Sequence, residues 1–219
     1  MDCLQLEQKP YATSFIDGTR SAETLTIPTA GVLNPQEGTV EFTIIPQVGP
    51  INPGGDPAFN DFTWGVPGTN GFLLRRLYDG ANWQIQAEYY VSGTIVNLNY
   101  TYAWTVGEKI SVAFRWSSSG CAWFVNGTLR ASDSRLFTAL TDTVAYIGSR
   151  PNYRQGNALY DDLRISSVAR SDAEIAAAYG SGQPLPVDEY TMYKLNFDNE
   201  IMDYVSTPIC GFVTIDGGW

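Results

Sequence analysis

The fold is decided by the stretch Lys109-Ile-Ser-Val-Ala-Phe-Arg-Trp116, followed by Ser117-Ser-Ser-Gly120 and by Cys121-Ala-Trp-Phe-Val-Asn-Gly127. In its first part, large apolar residues alternate with small or charged ones, which is the period of a β-strand with one buried face. The pair Asn126-Gly127 is typical of a type I′ hairpin turn, because both central positions of that turn need a positive φ. The stretch therefore predicts two antiparallel strands, with a hairpin turn after the second.

The same two-residue period recurs on both sides of this stretch, and turn residues such as Asp79-Gly80 and Ser92-Gly93 separate the alternating segments. Many strands at this spacing favour an all-β fold, a two-sheet antiparallel sandwich of the jelly-roll type. The remaining predicted strands are Glu41–Ile45, Asp61–Val66, Phe72–Tyr78, Trp83–Val91, Thr94–Trp104, Thr143–Ile147, Leu159–Ile165 and Tyr190–Phe197.

One short helix is predicted near the C-terminal end. Ser171-Asp-Ala-Glu174 has the spacing of a capping box, with Ser171 at the N-cap and Glu174 at N3. Gly180 suits the position just past the helix end, where a left-handed residue is common. We expect this helix to cover an edge of the sandwich.

We expect the 219 residues to form a single domain, because the residues after the helix are too few for a second core. Its predicted parts are an opening segment, 1–16, a main body, 17–180, and a C-terminal part, 181–219. The C-terminal part combines a linker, a closing strand and a tail.

The composition excludes several classes of function. A net charge of −10 disfavours binding to nucleic acid or to an acidic membrane surface, since both need a basic protein face. The absence of histidine removes catalytic triads that use imidazole and the common zinc sites. The three cysteines form no CxxC pair, which predicts separate thiols. We expect no membrane insertion and no signal peptide, because no apolar run has the length that either would need.

Three motifs in order carry a family resemblance. The strand pair Ile110–Gly127, the segment Tyr146–Ile165 with its paired acids, and the segment Ser167–Ile175 are similar to the hairpin, strand and closing helix of laminin-G-like, concanavalin A-like domains. The matches run from about Leu25 to Tyr179. The resemblance implies a concanavalin A-like jelly roll, a fold that does not by itself specify a ligand.

Other segments resemble modules of phage and prophage tail proteins. They are Gln5–Ile16, Thr19–Leu25 and Pro184–Asp198. This resemblance implies a place in a virion or on an extracellular surface, with other virion or tail modules as partners. In one respect the chain departs from the family: Asn196-Phe-Asp198 is similar to the strand with which family members begin, yet it comes last here. The sandwich is therefore expected to take its closing strand from the C-terminal end.

The spacing of acidic residues disfavours catalysis. Retaining glycosidases need two carboxyl groups about 5 Å apart in one groove. Glu41 and Glu88 are each the lone acid of a predicted strand, and Asp188 and Glu189 are adjacent, so strand alternation would turn them to opposite faces. We expect a protein that is not an enzyme, with a polysaccharide-degrading enzyme as the alternative.

A sugar-binding groove is predicted on the strands between Trp83 and Trp104. Sugars stack on aromatic rings and bond to amide and carboxyl groups, and this section supplies both. Alternatives remain open: core packing for Trp83, Tyr100 and Tyr102, and plain solvent exposure for the polar face. The candidate ligand-binding residues are Gln84, Gln86, Glu88, Tyr90, Asn97, Asn99 and Trp104.

Calcium is a further expectation, because this ion takes six to eight oxygen ligands from acidic loops, and the resembling families hold a structural calcium near their edge loops. The alternatives are a turn cap for Asp56 and an ion pair with an arginine such as Arg164 for Asp162. The candidate calcium ligands are Asp56, Asn60, Asp61, Asp161, Asp162 and Asp198.

Together these observations predict a non-catalytic, lectin-like module of a phage tail or virion surface protein. Its expected partner is a glycan or cell-surface polysaccharide of the host. A structural spacer or decoration domain of a tail fibre is a further alternative.

Overall fold

The computed structural model describes residues 25–50, 58–66, 70–137, 142–150, 154–195 and 204–205. Within these ranges the chain is built from strands and a helix, α1 (Asp172–Ser181). The strands are β1 (Leu25–Pro28), β2 (Gly38–Pro46), β3 (Ala58–Val66), β4 (Asn70–Tyr78), β5 (Trp83–Val91), β6 (Thr94–Thr101), β7 (Ile110–Ser117), β8 (Gly120–Val125), β9 (Thr128–Asp133), β10 (Val144–Ile147), β11 (Ala158–Ser166), β12 (Thr191–Leu195) and β13 (Tyr204–Val205).

Two antiparallel sheets enclose one core. Over the described residues, the front sheet has six strands in the order β1-β10-β3-β4-β5-β6, and the back sheet has seven in the order β13-β12-β11-β2-β7-β8-β9. The predicted all-β, two-sheet antiparallel jelly-roll sandwich with a short helix is confirmed. No helix in these parts of the chain has both the length and the apolar character needed to cross a membrane.

The stretch that decides the fold lies inside the back sheet. In β7, Ile110, Val112, Phe114 and Trp116 point into the core and are buried, as the alternation predicts. β7 pairs with β8 so that Trp116 lies opposite Cys121. The turn after β8 has positive φ values, 52° at Asn126 and 68° at Gly127, as a type I′ turn requires.

Aromatic rings join the two sheets. The ring of Phe72, on β4 of the front sheet, lies 4.7 Å from that of Phe114 and 5.4 Å from that of Trp116, both on β7 of the back sheet. Phe72 also stacks on Phe62 of its own sheet at 5.7 Å. Such pairs contribute about 0.5–1.5 kcal/mol each beyond their buried area, so Phe72 is a central contact of the sandwich.

The helix begins as predicted and ends later. Ser171 Oγ accepts a hydrogen bond from the Glu174 backbone N–H, and Glu174 Oε2 accepts one from the Ser171 N–H at 2.7 Å, which completes the capping box. The left-handed residue at the end is Gly182, with φ 61°, and Gly180 remains helical. Ile175 is the buried helix residue and packs on Ala113, Ala122 and Phe124 of the back sheet.

The chain after the helix returns to the back sheet. β12 pairs with β11, and Arg164 opposes Lys194 in that pair. The predicted closing strand is thus found as Thr191–Leu195, while residues 196 and 197 lie outside the described ranges. The segment before β12 is fixed by Arg170, whose Nη2 donates to Asp188 Oδ1 at 2.8 Å.

Replacing Phe72 with Ala is expected to lower the free energy of unfolding by about 3–5 kcal/mol, because it leaves a cavity where both sheets meet. Urea denaturation measures the change. Leu159→Ala is the matched control, since the Leu159 side chain is 58% exposed and surface substitutions usually change stability by about 0.5 kcal/mol or less. Equal shifts for the two variants would contradict the assignment of Phe72 to the core.

The Asp188–Arg170 ion pair makes stability depend on pH. The hydrogen bond from Arg170 lowers the pKa of Asp188 to about 2, so the pair contributes stability above the unfolded pKa, about 3.9, and loses it as pH falls through about 2. Asp188→Asn is expected to lower the free energy of unfolding at pH 7 and to make it depend less on pH below about pH 4. Urea midpoints measured from pH 7 to pH 2 test this. The same loss of stability in acid for the variant and the wild type would refute it.

Candidate functional site

Strand alternation places polar side chains on the face of the front sheet that points away from the core. In β4, Phe72 and Leu74 point inward, so Arg75 points outward. In β5 and β6 the inward residues are likewise apolar. We call the outward set the outer polar face; its members are Arg75, Gln84, Gln86, Glu88, Tyr90, Asn97 and Asn99.

Hydrogen bonds connect this face across three strands. Arg75 lies opposite Gln86, which lies opposite Asn99. Arg75 Nε donates to Gln86 Oε1 at 2.7 Å, and Gln86 Nε2 donates to Asn99 Oδ1 at 2.5 Å. The predicted ligand residues Gln86 and Asn99 are thus brought together in one row, which runs perpendicular to the strands.

The Glu88 carboxylate accepts hydrogen bonds from two neighbours. Arg75 Nη2 lies 2.5 Å from Glu88 Oε2, and the Tyr90 hydroxyl donates to Glu88 Oε1. Burial lowers the pKa of Arg75, Glu88 raises it, and the positive charges of Arg154 and Arg150 lower it further. The carboxylate is therefore held in place by an arginine and a phenol.

Exposure changes steeply across the outer polar face. Gln84, Gln86, Glu88 and Tyr90 on β5 are only 3–7% exposed. On β6, the edge strand next to β5, Asn97 and Asn99 are exposed. Neither an open groove nor plain solvent exposure describes β5, and the part of this face open to a ligand is its β6 side.

Trp104 is a correction to the predicted ligand-binding set. Its indole is 1% exposed, and its Nε1 donates to the Val48 carbonyl at 2.9 Å. Its ring meets that of Trp83 edge-on at 5.0 Å. Trp104 has the same parity as Leu98 and Tyr100, which lie in or against the core, so it packs in the core and cannot stack on a sugar. Trp83, Tyr100 and Tyr102 also pack against the core, as the alternative proposed.

Asp61, a predicted calcium ligand, already has a protein cation. Its carboxylate is buried and accepts from Arg76 Nη2 at 2.9 Å, from Arg76 Nε at 3.1 Å and from the Tyr160 hydroxyl at 2.8 Å. Burial raises the pKa of Asp61, while Arg76 and Tyr160 oppose this shift. A calcium ion at Asp61 would have to displace the guanidinium group of Arg76.

Asp162 is also paired within the protein. It forms an ion pair with Lys194, and its Oδ2 accepts from the Leu185 N–H at 2.7 Å. The partner is therefore Lys194 and not Arg164, whose Nη2 lies 2.6 Å from Glu41 Oε2. Asp162 has φ 56° and lies in an irregularity of β11, which removes the regular alternation on which the sequence argument relied.

Within the described ranges, the acidic calcium candidates do not form a metal-binding cluster. Among the described residues, no three His, Cys, Asp or Glu side chains are grouped to hold a metal. Asn60 and Asp61 lie on β3, Asp161 lies beside Asp162 on β11, and Asp56 and Asp198 lie outside the described ranges. Asp61 and Asp162 do not fit a calcium ion, because each carboxylate is already paired with a basic side chain, Arg76 and Lys194.

Two buried polar groups beside the outer polar face have no partner. Asn60, opposite Arg75 in the β3–β4 register, makes no hydrogen bond through either amide atom, and neither does Ser149 Oγ. Both side chains are buried. An unpaired buried polar group costs about 1–3 kcal/mol, so the fold retains these two groups at a cost to stability.

Sequence analysis missed the arginines of this region. Arg75 lies on the same face as its neighbour Gln86. The alternation of the predicted strand Phe72–Tyr78 could have placed it there. Arg150 and Arg154 lie in the connection between β10 and β11, and only in the folded chain do their charges lower the pKa of Arg75.

Comparisons with known proteins agree with this architecture. A family model described as "Concanavalin A-like lectin/glucanases superfamily" matches residues 17–176. A comparison with curated proteins finds no match.

Solved structures of low sequence identity share the fold. The enzymatically active domain of tailspike protein 2 of bacteriophage CBA120 has a TM-score of 0.63 at 14% identity, over 80% of this chain and 29% of that one. A carbohydrate-binding candidate from Bacteroides ovatus has a TM-score of 0.60 at 17% identity, over 82% and 52%. A SAP-like pentraxin of Limulus polyphemus has a TM-score of 0.54 at 13% identity, over 83% and 81%. The chain thus spans less than a third of the tailspike chain, and these likenesses concern the fold alone.

Calcium is expected to change the thermal stability little, because Arg76 and Lys194 already neutralise Asp61 and Asp162. Thermal melts in excess EDTA and in millimolar calcium measure this. A ligand that binds only the folded state at a hundred times its Kd would stabilise by about 2.7 kcal/mol, so a clear rise in Tm with calcium would contradict the expectation.

Proposed function

Because the chain belongs to the concanavalin A-like lectin/glucanases superfamily, we propose that it is a non-catalytic, lectin-like module that binds glycan. The observation that carries the proposal is the hydrogen-bonded row Arg75–Gln86–Asn99, which ends in an exposed amide on the edge strand. The binding surface is the β6 side of the outer polar face.

The chemistry of this surface suits a saccharide. Asn97 and Asn99 are two residues apart on β6, so their side chains lie about 7 Å apart on one face. Amide groups both donate and accept, as sugar hydroxyls require. Gln86 and Glu88 lie beside these residues on the neighbouring strand and bond to Arg75, so they hold the surface in place from the side.

Support for a binding role without catalysis comes from the placement of the carboxylates. Among the described residues of β3 to β6, Glu88 is the carboxylate on the outward face, and it is bound by Arg75 and Tyr90. Retaining glycosidases need a second carboxyl group about 5 Å away. Glu41 and Asp61 are buried in ion pairs with arginines.

The proposed setting is a phage tail or another virion surface. The likeness of the fold to a tailspike domain supports it, as does the resemblance of the terminal segments to tail-protein modules. In this setting the module would bind a polysaccharide of the host surface and would lie beside other virion modules.

A second candidate is a structural spacer of a tail fibre. The burial of Gln84, Gln86, Glu88 and Tyr90 favours it, because side chains that are already enclosed can serve stability alone. The two candidates differ in whether Asn97 and Asn99 contact a ligand.

A glycan array that includes bacterial surface polysaccharides, followed by titration calorimetry, separates the candidates. The chain is expected to bind at least one glycan, and Asn97→Ala with Asn99→Ala is expected to weaken binding about tenfold or more, since each lost hydrogen bond contributes about 0.5–1.5 kcal/mol.

Ser132→Ala, on β9 of the back sheet, is the control and should bind as the wild type does. Thermal melts of each variant confirm that it is folded. If no glycan binds with a Kd below about 1 mM, the lectin proposal fails and the spacer is favoured.

A further inference from the structure

The row of hydrogen bonds has a fixed direction. The guanidinium of Arg75 can only donate, so the group that faces Arg75 Nε must be the oxygen of the Gln86 amide. The amide nitrogen of Gln86 then faces Asn99 and donates to its Oδ1. Because this bond engages the oxygen of Asn99, the nitrogen of this exposed amide is left to donate to a ligand.

Asn97 complements this donor with an acceptor. It is exposed and lies opposite Glu88 on β5, and its amide makes no hydrogen bond with the described part of the chain. The Glu88 carboxylate attracts amide N–H groups and repels an amide oxygen, so the favoured orientation of Asn97 directs its Oδ1 away from Glu88. The edge strand therefore presents a donor at Asn99 and an acceptor at Asn97, about 7 Å apart.

A donor and an acceptor in fixed positions select a group whose own polarity is fixed. A sugar hydroxyl both donates and accepts, so it would bind an amide in either orientation. An acetamido group has a carbonyl oxygen that only accepts and an N–H that only donates, and the two point in opposite directions. They lie about 2.3 Å apart, so with a hydrogen bond of about 2.9 Å at each end the group spans the distance between the two asparagines.

The surroundings of the two asparagines favour a neutral sugar. Arg75 is already bonded to Gln86 and Glu88. The Glu88 carboxylate lies beside Asn97, in a chain whose net charge is −10, so an acidic sugar would be repelled. Ile95 is 52% exposed and is the next residue of this face beyond Asn97, and it offers an apolar contact to the C–H groups of the sugar.

From this arrangement we infer that the β6 side of the outer polar face recognises a sugar with an acetamido group, as in a polysaccharide of N-acetylhexosamine. The carbonyl oxygen of the sugar accepts from Asn99, and its N–H donates to Asn97. Arg75 and Gln86 are positioning residues, because they fix the orientation of Asn99 without touching the ligand. This inference rests on the proposed function and specifies its ligand.

The test compares neutral glycans that differ in one kind of group. Chitotetraose and cellotetraose share their backbone and differ in whether each sugar carries an acetamido group or a hydroxyl, and oligosaccharides that end in N-acetylgalactosamine or galactose form a second pair. In titration calorimetry, at least one acetamido form is expected to bind tenfold or more tightly than its hydroxyl counterpart, because a site built to bond an N–H loses affinity for an analogue that lacks it.

Three substitutions that each add one negative charge locate the site. Asn99→Asp replaces the donor with an acceptor and is expected to reduce the acetamido preference at least fivefold. Asn97→Asp keeps an acceptor at its position, so the preference should persist. Ser132→Asp, exposed on β9 of the back sheet, is the control and should bind both forms as the wild type does.

Gln86→Glu tests the positioning role. Its carboxylate would accept from both Arg75 and Asn99, so Asn99 would turn its Oδ1 outward, and the affinities for the acetamido and hydroxyl forms should become nearly equal. Thermal melts show whether the variant is folded, and a folded variant with the wild-type preference would overturn the positioning role. Should it not fold, Asn99→Asp decides, since an exposed side chain can be changed without loss of the fold.

Equal binding of acetamido and hydroxyl forms by the wild type would overturn the inference and leave the proposed function standing. Binding only of glycans that lack an acetamido group would do the same, as would equal effects of Asn99→Asp and Asn97→Asp. If no glycan of either kind binds, both the inference and the proposed function fail.

Discussion

The contact of Phe72 with Phe114 and Trp116 is the interaction on which the rest of the molecule depends. It joins the front sheet to the back sheet through rings 4.7 Å and 5.4 Å apart, and it fixes which face of β4 points into the core. Because successive side chains of a strand point to opposite faces, burying Phe72 turns Arg75 outward. The same constraint on β5 and β6 aligns Gln86 and Asn99 with Arg75.

Buried carboxylates of the sandwich are paired with protein cations. Arg76 binds Asp61, and its guanidinium carbon lies over the rings of Phe59 and Trp104, 5.1 Å and 5.2 Å from their centroids. Arg164 binds Glu41, and both side chains are almost completely buried. A buried carboxylate without a partner is very costly, so these arginines allow Asp61 and Glu41 to be buried.

The outer polar face differs from an ordinary solvent-exposed sheet face. Its β5 residues are buried, and Gln86 and Glu88 are bonded to Arg75, while its β6 residues are exposed. Such a network is rigid, because every strong donor and acceptor in the row holds its neighbour in one orientation. A surface of this kind suits recognition, since little conformational entropy is lost when a ligand binds.

The sequence by itself determined the sheet residues, the capping box and the family, because alternation, turn residues and caps act over a few positions. It also placed Gln84, Gln86, Glu88, Tyr90, Asn97 and Asn99 on one face, since parity within a strand needs no tertiary information. Only the tertiary structure decided the rest. The Trp104 indole donates to the Val48 carbonyl, Asp162 pairs with Lys194 because β12 lies beside β11, and the charges of Arg150 and Arg154 act on Arg75. These partners are far apart in the chain, and no local pattern records which of them meet.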